Sequence, residues 1–142
     1  MPPAPPTILV VDDDPDAVTF IGSLLRSLGM EPMAACCMSD GLCAAHRACP
    51  CCIILNGLMC GEEGMCLYRS LRTDARLKDV PVVLLSNIRG DTWRRSGVFS
   101  ETAAQPSIPE PEAFLAHPPD AEALRDTLLR LTQGAGTAAP PP

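Results

Sequence analysis

Positive charge is in short supply in this chain: Lys and Arg total 11 against 17 Asp and Glu, for a net charge of -6 and a pI near 4.7. A nucleic-acid partner calls for a basic face to neutralise backbone phosphates, and that class of function is set aside. No apolar stretch approaches the roughly 20 residues that cross a bilayer. Met1 to Pro6 has neither the basic start nor the apolar core of a secretory signal, so a cytoplasmic location is expected. Also missing is the second CxxC of a structural zinc site, since Cys49 and Cys52 make only one.

What is present fits one domain of ordinary size. Residues 1–6 and 134–142 are Pro, Ala and Gly rich without periodicity and read as disordered tails, leaving a folded part over 7–133. Its most informative feature is the apolar run Ile8 to Val11, which leads straight into Asp12, Asp13, Asp14 and Pro15. A strand apolar at every position is buried on both faces, as in a parallel sheet covered by helices, so its first polar residues emerge at the carboxyl edge. Carboxylates crowded there repel unless a cation lies between them, and oxygen-only ligation suits Mg²⁺. Helix capping explains Asp14 alone.

Beyond that turn, Ala17, Phe20, Ile21, Leu24, Leu25 and Leu28 recur at helical spacing up to Gly29. Glu31 to Ala35 is a second strand placed near a sheet edge by Pro32. Ser39 to Ala48 is a helix with Leu42 and Ala45 inward. Cys52 to Leu55 is another apolar strand, ending at Asn56. After a loop over Gly57 to Gly64 comes a helix, Met65 to Arg72, packing through Leu67 and Leu71. Val80 to Leu85 is a strand ending at Ser86. Residues 87–112 read as an irregular insert, functional or poorly ordered. Ala113 to Ala116 forms a fifth strand, His117, Pro118 and Pro119 turn the chain, and Asp120 caps a helix with Leu124, Leu128 and Leu131 inward, stopped by Gly134. The alternation predicts an α/β fold, a doubly wound five-stranded parallel sheet.

So arranged, the chain resembles the receiver domain of two-component response regulators. ILVVDDDPD at Ile8 to Asp16 is similar to the family's first strand and acidic pair, IILNGLMCGEEG at Ile53 to Gly64 to its phosphoacceptor strand and loop, PVVLLS at Pro81 to Ser86 to the strand carrying the switch hydroxyl, and AFLAHP at Ala113 to Pro118 to the last strand with its switch aromatic. The residues around GVFSETAAQPSIPEPEAFL also resemble a receiver subgroup with an extended connection there.

The resemblance implies a flavodoxin-like sheet with strand order 2-1-3-4-5. It also implies an aspartate at position 56 that takes a phosphoryl group, Mg²⁺ held beside it, and a lysine at 117. Here those positions are Asn56 and His117, and the family's loop proline is Cys60. A carboxamide forms no acyl phosphate and lends a cation less charge; an imidazole is shorter and weakly charged near neutrality. The expectation is a degenerate pseudo-receiver with no catalytic residue and a weak Mg²⁺ site at Asp12, Asp13, the Asn56 oxygen and the Leu58 carbonyl. Ser86 and Phe114 are its signal-switch positions, or simply a strand-end hydroxyl and a core aromatic. Asn56 precedes Gly57, a pair prone to deamidation that would restore an aspartate unless strand geometry holds the amide out of line.

All eight cysteines, Cys36, Cys37, Cys43, Cys49, Cys51, Cys52, Cys60 and Cys66, fall in one window, which raises a thiol-based redox or metal sensor as a rival function. The receiver topology disperses them, favouring small apolar fillers and incidental surface thiols. His46 reads as a helix-surface residue, or as a ligand with Cys43. Trp93 beside Arg94 and Arg95 is either an exposed partner anchor or a plug for an incomplete fourth helix. The functional expectation is a stand-alone, non-enzymatic signalling protein whose partner is a histidine kinase or another signalling protein. It engages them through the last strand, last helix and insert, and through the first helix, which resembles the family's kinase-docking element. A receiver phosphorylated at Asp12 or Asp13 instead is the remaining alternative.

Overall fold

The computed structural model describes residues 4–59, 63–102 and 105–137. Five strands, β1 (Thr7–Val11), β2 (Glu31–Ala35), β3 (Cys52–Asn56), β4 (Val82–Leu85) and β5 (Ala113–Leu115), form one parallel sheet in the order β2-β1-β3-β4-β5. Helices α1 (Pro15–Ser27), α2 (Met38–Ala48), α3 (Glu63–Thr73), α4 (Gly90–Arg95) and α5 (Ala121–Thr137) connect or follow them.

The apolar runs owe their continuity to two separate cores. Leu9, Val11, Ile53, Leu55, Val82 and Leu84 point into a cluster under α2, α3 and the residues after β4. Their alternates Ile8, Val10, Cys52, Ile54, Val83 and Leu85 point into a second cluster with Ile21 and Leu25 of α1 and Leu124 and Leu128 of α5. Because side chains alternate across the sheet, both parities must be apolar where both faces are covered. Half-buried β5 and partly exposed β2 are the edges, where the Pro32 ring is tolerated.

Several boundaries differ from those the pattern predicts. On α1 the buried line is Ala17, Ile21 and Leu25, spaced by four, so Phe20 lies a helical step off the stripe and is 41% exposed. α3 begins two residues before Met65, and β4 starts at Val82 because Val80 instead closes a turn onto Leu77. α5 continues through Gly134 to Thr137. Within the expected N-terminal tail, the Pro6 carbonyl accepts from the Glu31 N–H at 2.8 Å and extends the β1–β2 pairing. Residues 1–3 and 138–142 of the expected tails lie outside the described residues.

The insert is the largest correction. It contains the six-residue α4, and Trp93, Phe99 and Ile108 are buried in the α2/α3-side core. Arg72 of α3 secures it: its guanidinium, 2% exposed, donates to the Tyr68 hydroxyl, the carbonyls of Lys78, Val80 and Glu110, and the Glu112 carboxylate at 2.6 Å. The Tyr68 hydroxyl in turn donates to the Pro109 carbonyl at 2.6 Å, and Arg69 donates to the carbonyls of Val98 and Pro106. Burial disfavours the Arg72 charge, but the bonds from Tyr68 and Glu112 outweigh it and raise the pKa. The insert lacks periodicity because α3 holds it by its backbone carbonyls, which every residue possesses.

Candidate functional site

Strand register builds the pocket. Val11 pairs with Leu55 and Asn56 with Leu85, so the residues that follow β1, end β3 and follow β4 meet at the carboxyl edge. This is where the chain order reverses about β1 and β3, the crevice in which open α/β sheets place their sites. Gly64, at the start of α3, permits the close approach: a Cβ there would collide with the Asn56 carbonyl oxygen and come within 2.6 Å of the Gly57 oxygen.

Asp12 is the centre, with only 1% of its surface exposed. Its Oδ1 accepts from the Asp14 N–H at 3.0 Å and from Asn56 Nδ2 at 3.1 Å. Its Oδ2 faces His117 Nε2 at 2.8 Å. A carboxylate can only accept, so the imidazole donates. The Asn56 oxygen is turned the other way, accepting from the Leu58 N–H at 3.0 Å. Asp13 is exposed and, with Asp12, Val18, Cys36 and Asp40, lines a cleft of about 530 Å³ between α1 and the end of β2. Asp14 caps α1, its Oδ1 accepting from the Asp16 N–H at 3.0 Å, and Asp120 accepts from Ala123 at the start of α5.

Of the residues expected to hold Mg²⁺, Asp12, Asn56 and the Leu58 backbone meet, with Asp13 at the rim. As arranged they do not fit the ion. A hard cation requires converging oxygens, whereas Asp12 faces three N–H donors and the amide oxygen is taken by Leu58. A cation is held only if those donors yield.

The two residues expected as switch positions, Ser86 and Phe114, both have local partners. Ser86 is buried and its Oγ accepts from the Ile88 N–H at 2.9 Å. The Phe114 ring is half-buried, edge-on to Phe99 at 6.2 Å, with the Arg94 guanidinium 5.3 Å from its centroid and Gly90 close enough that a Cβ would lie 2.9 Å from the ring. Arg94 is itself paired with Glu110 at 2.6 Å. Trp93 is 8% exposed and plugs the core beside Gly57 and Leu84, so it is not an exposed anchor; its Nε1–H has no hydrogen-bond partner.

The cysteines do not converge. Cys52 is in the core, where burial pushes its thiol up to about 12. Cys36 after β2, Cys43 on α2, Cys49 at the C-cap of α2 and Cys66 on α3 are exposed, Cys37 and Cys51 are intermediate, and Cys60 lies outside the described residues. Among the described residues no group of three or more His, Cys, Asp or Glu is placed to hold a metal. The Cys43–His46 pairing fails because His46 Nε2 is taken by Asp74 at 2.8 Å. Asp74, held below the usual carboxylate range first by the Arg76 N–H and also by His46, completes that surface pair. Tyr68, Arg72 and Glu112 were not singled out from the sequence, and nothing local marks them: each acts on a partner distant along the chain; Arg94, noted beside Trp93, is instead paired with Phe114 and Glu110.

A five-stranded parallel sheet in the order β2-β1-β3-β4-β5, with an acidic pocket at its carboxyl edge, defines a flavodoxin-like α/β module. The response regulator receiver domain model matches residues 8–100, and the chain belongs to that family. The match ends before Phe114 and His117, whose places rest on the fold. The chemotaxis protein CheY4 of Vibrio cholerae is similar at 22% identity, over 90% of this chain and 99% of that one, with a TM-score of 0.75. The receiver domain of a signal transduction histidine kinase from Syntrophus aciditrophicus is 21% identical over 96% and 95%, with a TM-score of 0.75. That of a sensor histidine kinase from Pseudomonas aeruginosa, solved with magnesium in its active-site cleft, is 23% identical over 90% and 98%, with a TM-score of 0.73. No curated protein matches the chain. The fold is therefore a flavodoxin-like receiver, and the protein is a receiver domain of two-component signalling. No helix among the described residues is long and apolar enough to cross a membrane.

Proposed function

We propose that this receiver domain signals without an acyl phosphate, as a non-enzymatic pseudo-receiver that acts through protein contacts in a phosphorelay. One observation carries the reading: residue 56 is an amide, with both its polar atoms engaged, Nδ2 on Asp12 and Oδ1 on the Leu58 N–H. It offers no carboxylate to attack a phosphoryl donor. Asp12 is a poor substitute acceptor because it is buried and surrounded by donors. Mg²⁺ affinity is correspondingly weak.

A phosphoryl group normally biases two existing conformations. Here Ser86 is bound to Ile88 and Phe114 is held among Arg94, Phe99 and Gly90, which supports one fixed surface over β5, α5 and the insert. That surface and α1 are the faces for a histidine kinase or another signalling protein. The test is exposure of the full chain to acetyl phosphate with Mg²⁺, read by intact mass. No phosphoryl adduct is expected on the wild type, and a stoichiometric adduct would overturn the reading. An Asn56→Asp variant that takes the label would show that the surrounding groups still support the chemistry.

A further inference from the structure

We propose that His117 and Asn56 are a built-in substitute for the divalent cation, with His117 as the gate that keeps Mg²⁺ out of the pocket. The inference rests on the amide reading of residue 56. A buried carboxylate must be neutralised or hydrogen-bonded, because leaving it bare is costly. In this chain the compensation is internal. Asp12 has 1% exposure and three N–H groups around it, from the Asp14 backbone, the Asn56 amide and the His117 ring, at 3.0, 3.1 and 2.8 Å.

The two side-chain donors differ in how readily they yield. Asn56 is part of β3 and is tied at its other end to Leu58, so its amide is fixed by the sheet. His117 follows β5, in a turn with 20% of its side chain exposed, and its Nε2 lies 2.8 Å from Asp12 Oδ2. A cation that takes Asp12 Oδ2 as a ligand must displace that imidazole. The Lys-to-His replacement is thus coupled to the Asp-to-Asn replacement. An amide at residue 56 adds no second negative charge, and the ring at 117 turns to the one buried carboxylate left.

The experiment is isothermal titration of Mg²⁺, with Mn²⁺ as a paramagnetic probe, into the full chain and three variants. His117→Ala removes the donor and should bind about tenfold tighter than wild type or better, the ratio that corresponds to losing one charge-assisted hydrogen bond. His117→Gln keeps an N–H within reach of Asp12 and should remain close to wild type. Asn56→Asp combined with His117→Ala should bind more tightly than Asn56→Asp alone by a similar factor. Far-UV circular dichroism confirms that each variant is folded, and the two contrasts at position 117 are independent should one variant fail. If His117→Ala binds no tighter than wild type, or His117→Gln opens the site as fully as alanine, His117 is no gate and the proposal is overturned. Acetyl phosphate labelling of the wild type tests the amide reading separately, so either idea can fail without the other.

Discussion

At the scale of single residues, Asn56 shows how a fold can protect a chemically vulnerable position. An Asn-Gly pair deamidates when the glycine nitrogen attacks the side-chain carbonyl carbon. Here the Gly57 N–H is held by the Leu85 carbonyl at 2.9 Å, while the amide is fixed at both ends by Asp12 and Leu58. Folded protein aged at mildly alkaline pH should therefore keep Asn56 intact, whereas a peptide spanning the pair should convert. Peptide mapping by mass spectrometry decides, and conversion in the folded chain at the peptide's rate would contradict the geometry. The identity of residue 56 was legible from its place after an apolar strand. The partner of its Nδ2 was not, because Asp12 lies 44 positions away along the chain.

At the scale of elements, α3 is both a core helix and the anchor of the insert. Its inward Leu67 and Leu71 follow from helical spacing, as expected. Arg72, next to them, would ordinarily read as the solvated end of an amphipathic helix; instead all five of its N–H groups find acceptors. Replacing it by Met preserves the stem but takes the guanidinium from three carbonyls and from the Glu112 carboxylate, which keeps only the Val82 N–H at 2.7 Å. Removing one partner of a buried ion pair costs roughly 3–5 kcal/mol, and partial exposure of Glu112 places this case at the lower end. Urea denaturation of Arg72→Met should show a loss of about 3 kcal/mol, together with faster amide exchange in the insert. A change below about 0.5 kcal/mol, the scale of ordinary surface substitutions, would mean that the hub is incidental. α4 could be read only as an incomplete fourth helix plugged by Trp93, for a related reason: six residues with a glycine at the start show no resolvable period, and Trp93 packs inward beside Gly57 and Leu84.

At the scale of the whole molecule, the single tyrosine reports on global stability. Burial pushes Tyr68 from its ordinary 10.0 to about 12, with the Arg72 bond opposing. The folded state thus retains the phenolic proton longer than the unfolded chain does. Its contribution is fully present below pH 10 and is lost as pH rises toward about 12. Tyrosinate absorbance and far-UV circular dichroism followed together should rise and fall in one alkaline transition. Ionisation near 10 with the fold intact would show that the hydroxyl is not held by Arg72 and Pro109.

The sequence by itself determined the element order, the two-sided burial of β1, β3 and β4, and the chemical identities at Asn56 and His117. It could do so because covered strands must be apolar at every position and because a functional group is what its atoms are. Only the tertiary structure decided that the imidazole turns to Asp12, that His46 belongs to Asp74, that Trp93 fills the core, and that Arg72 carries the insert. Those outcomes depend on which distant atoms the chain crossing brings within about 3 Å, and hydrogen-bond reach leaves no periodic trace along a sequence.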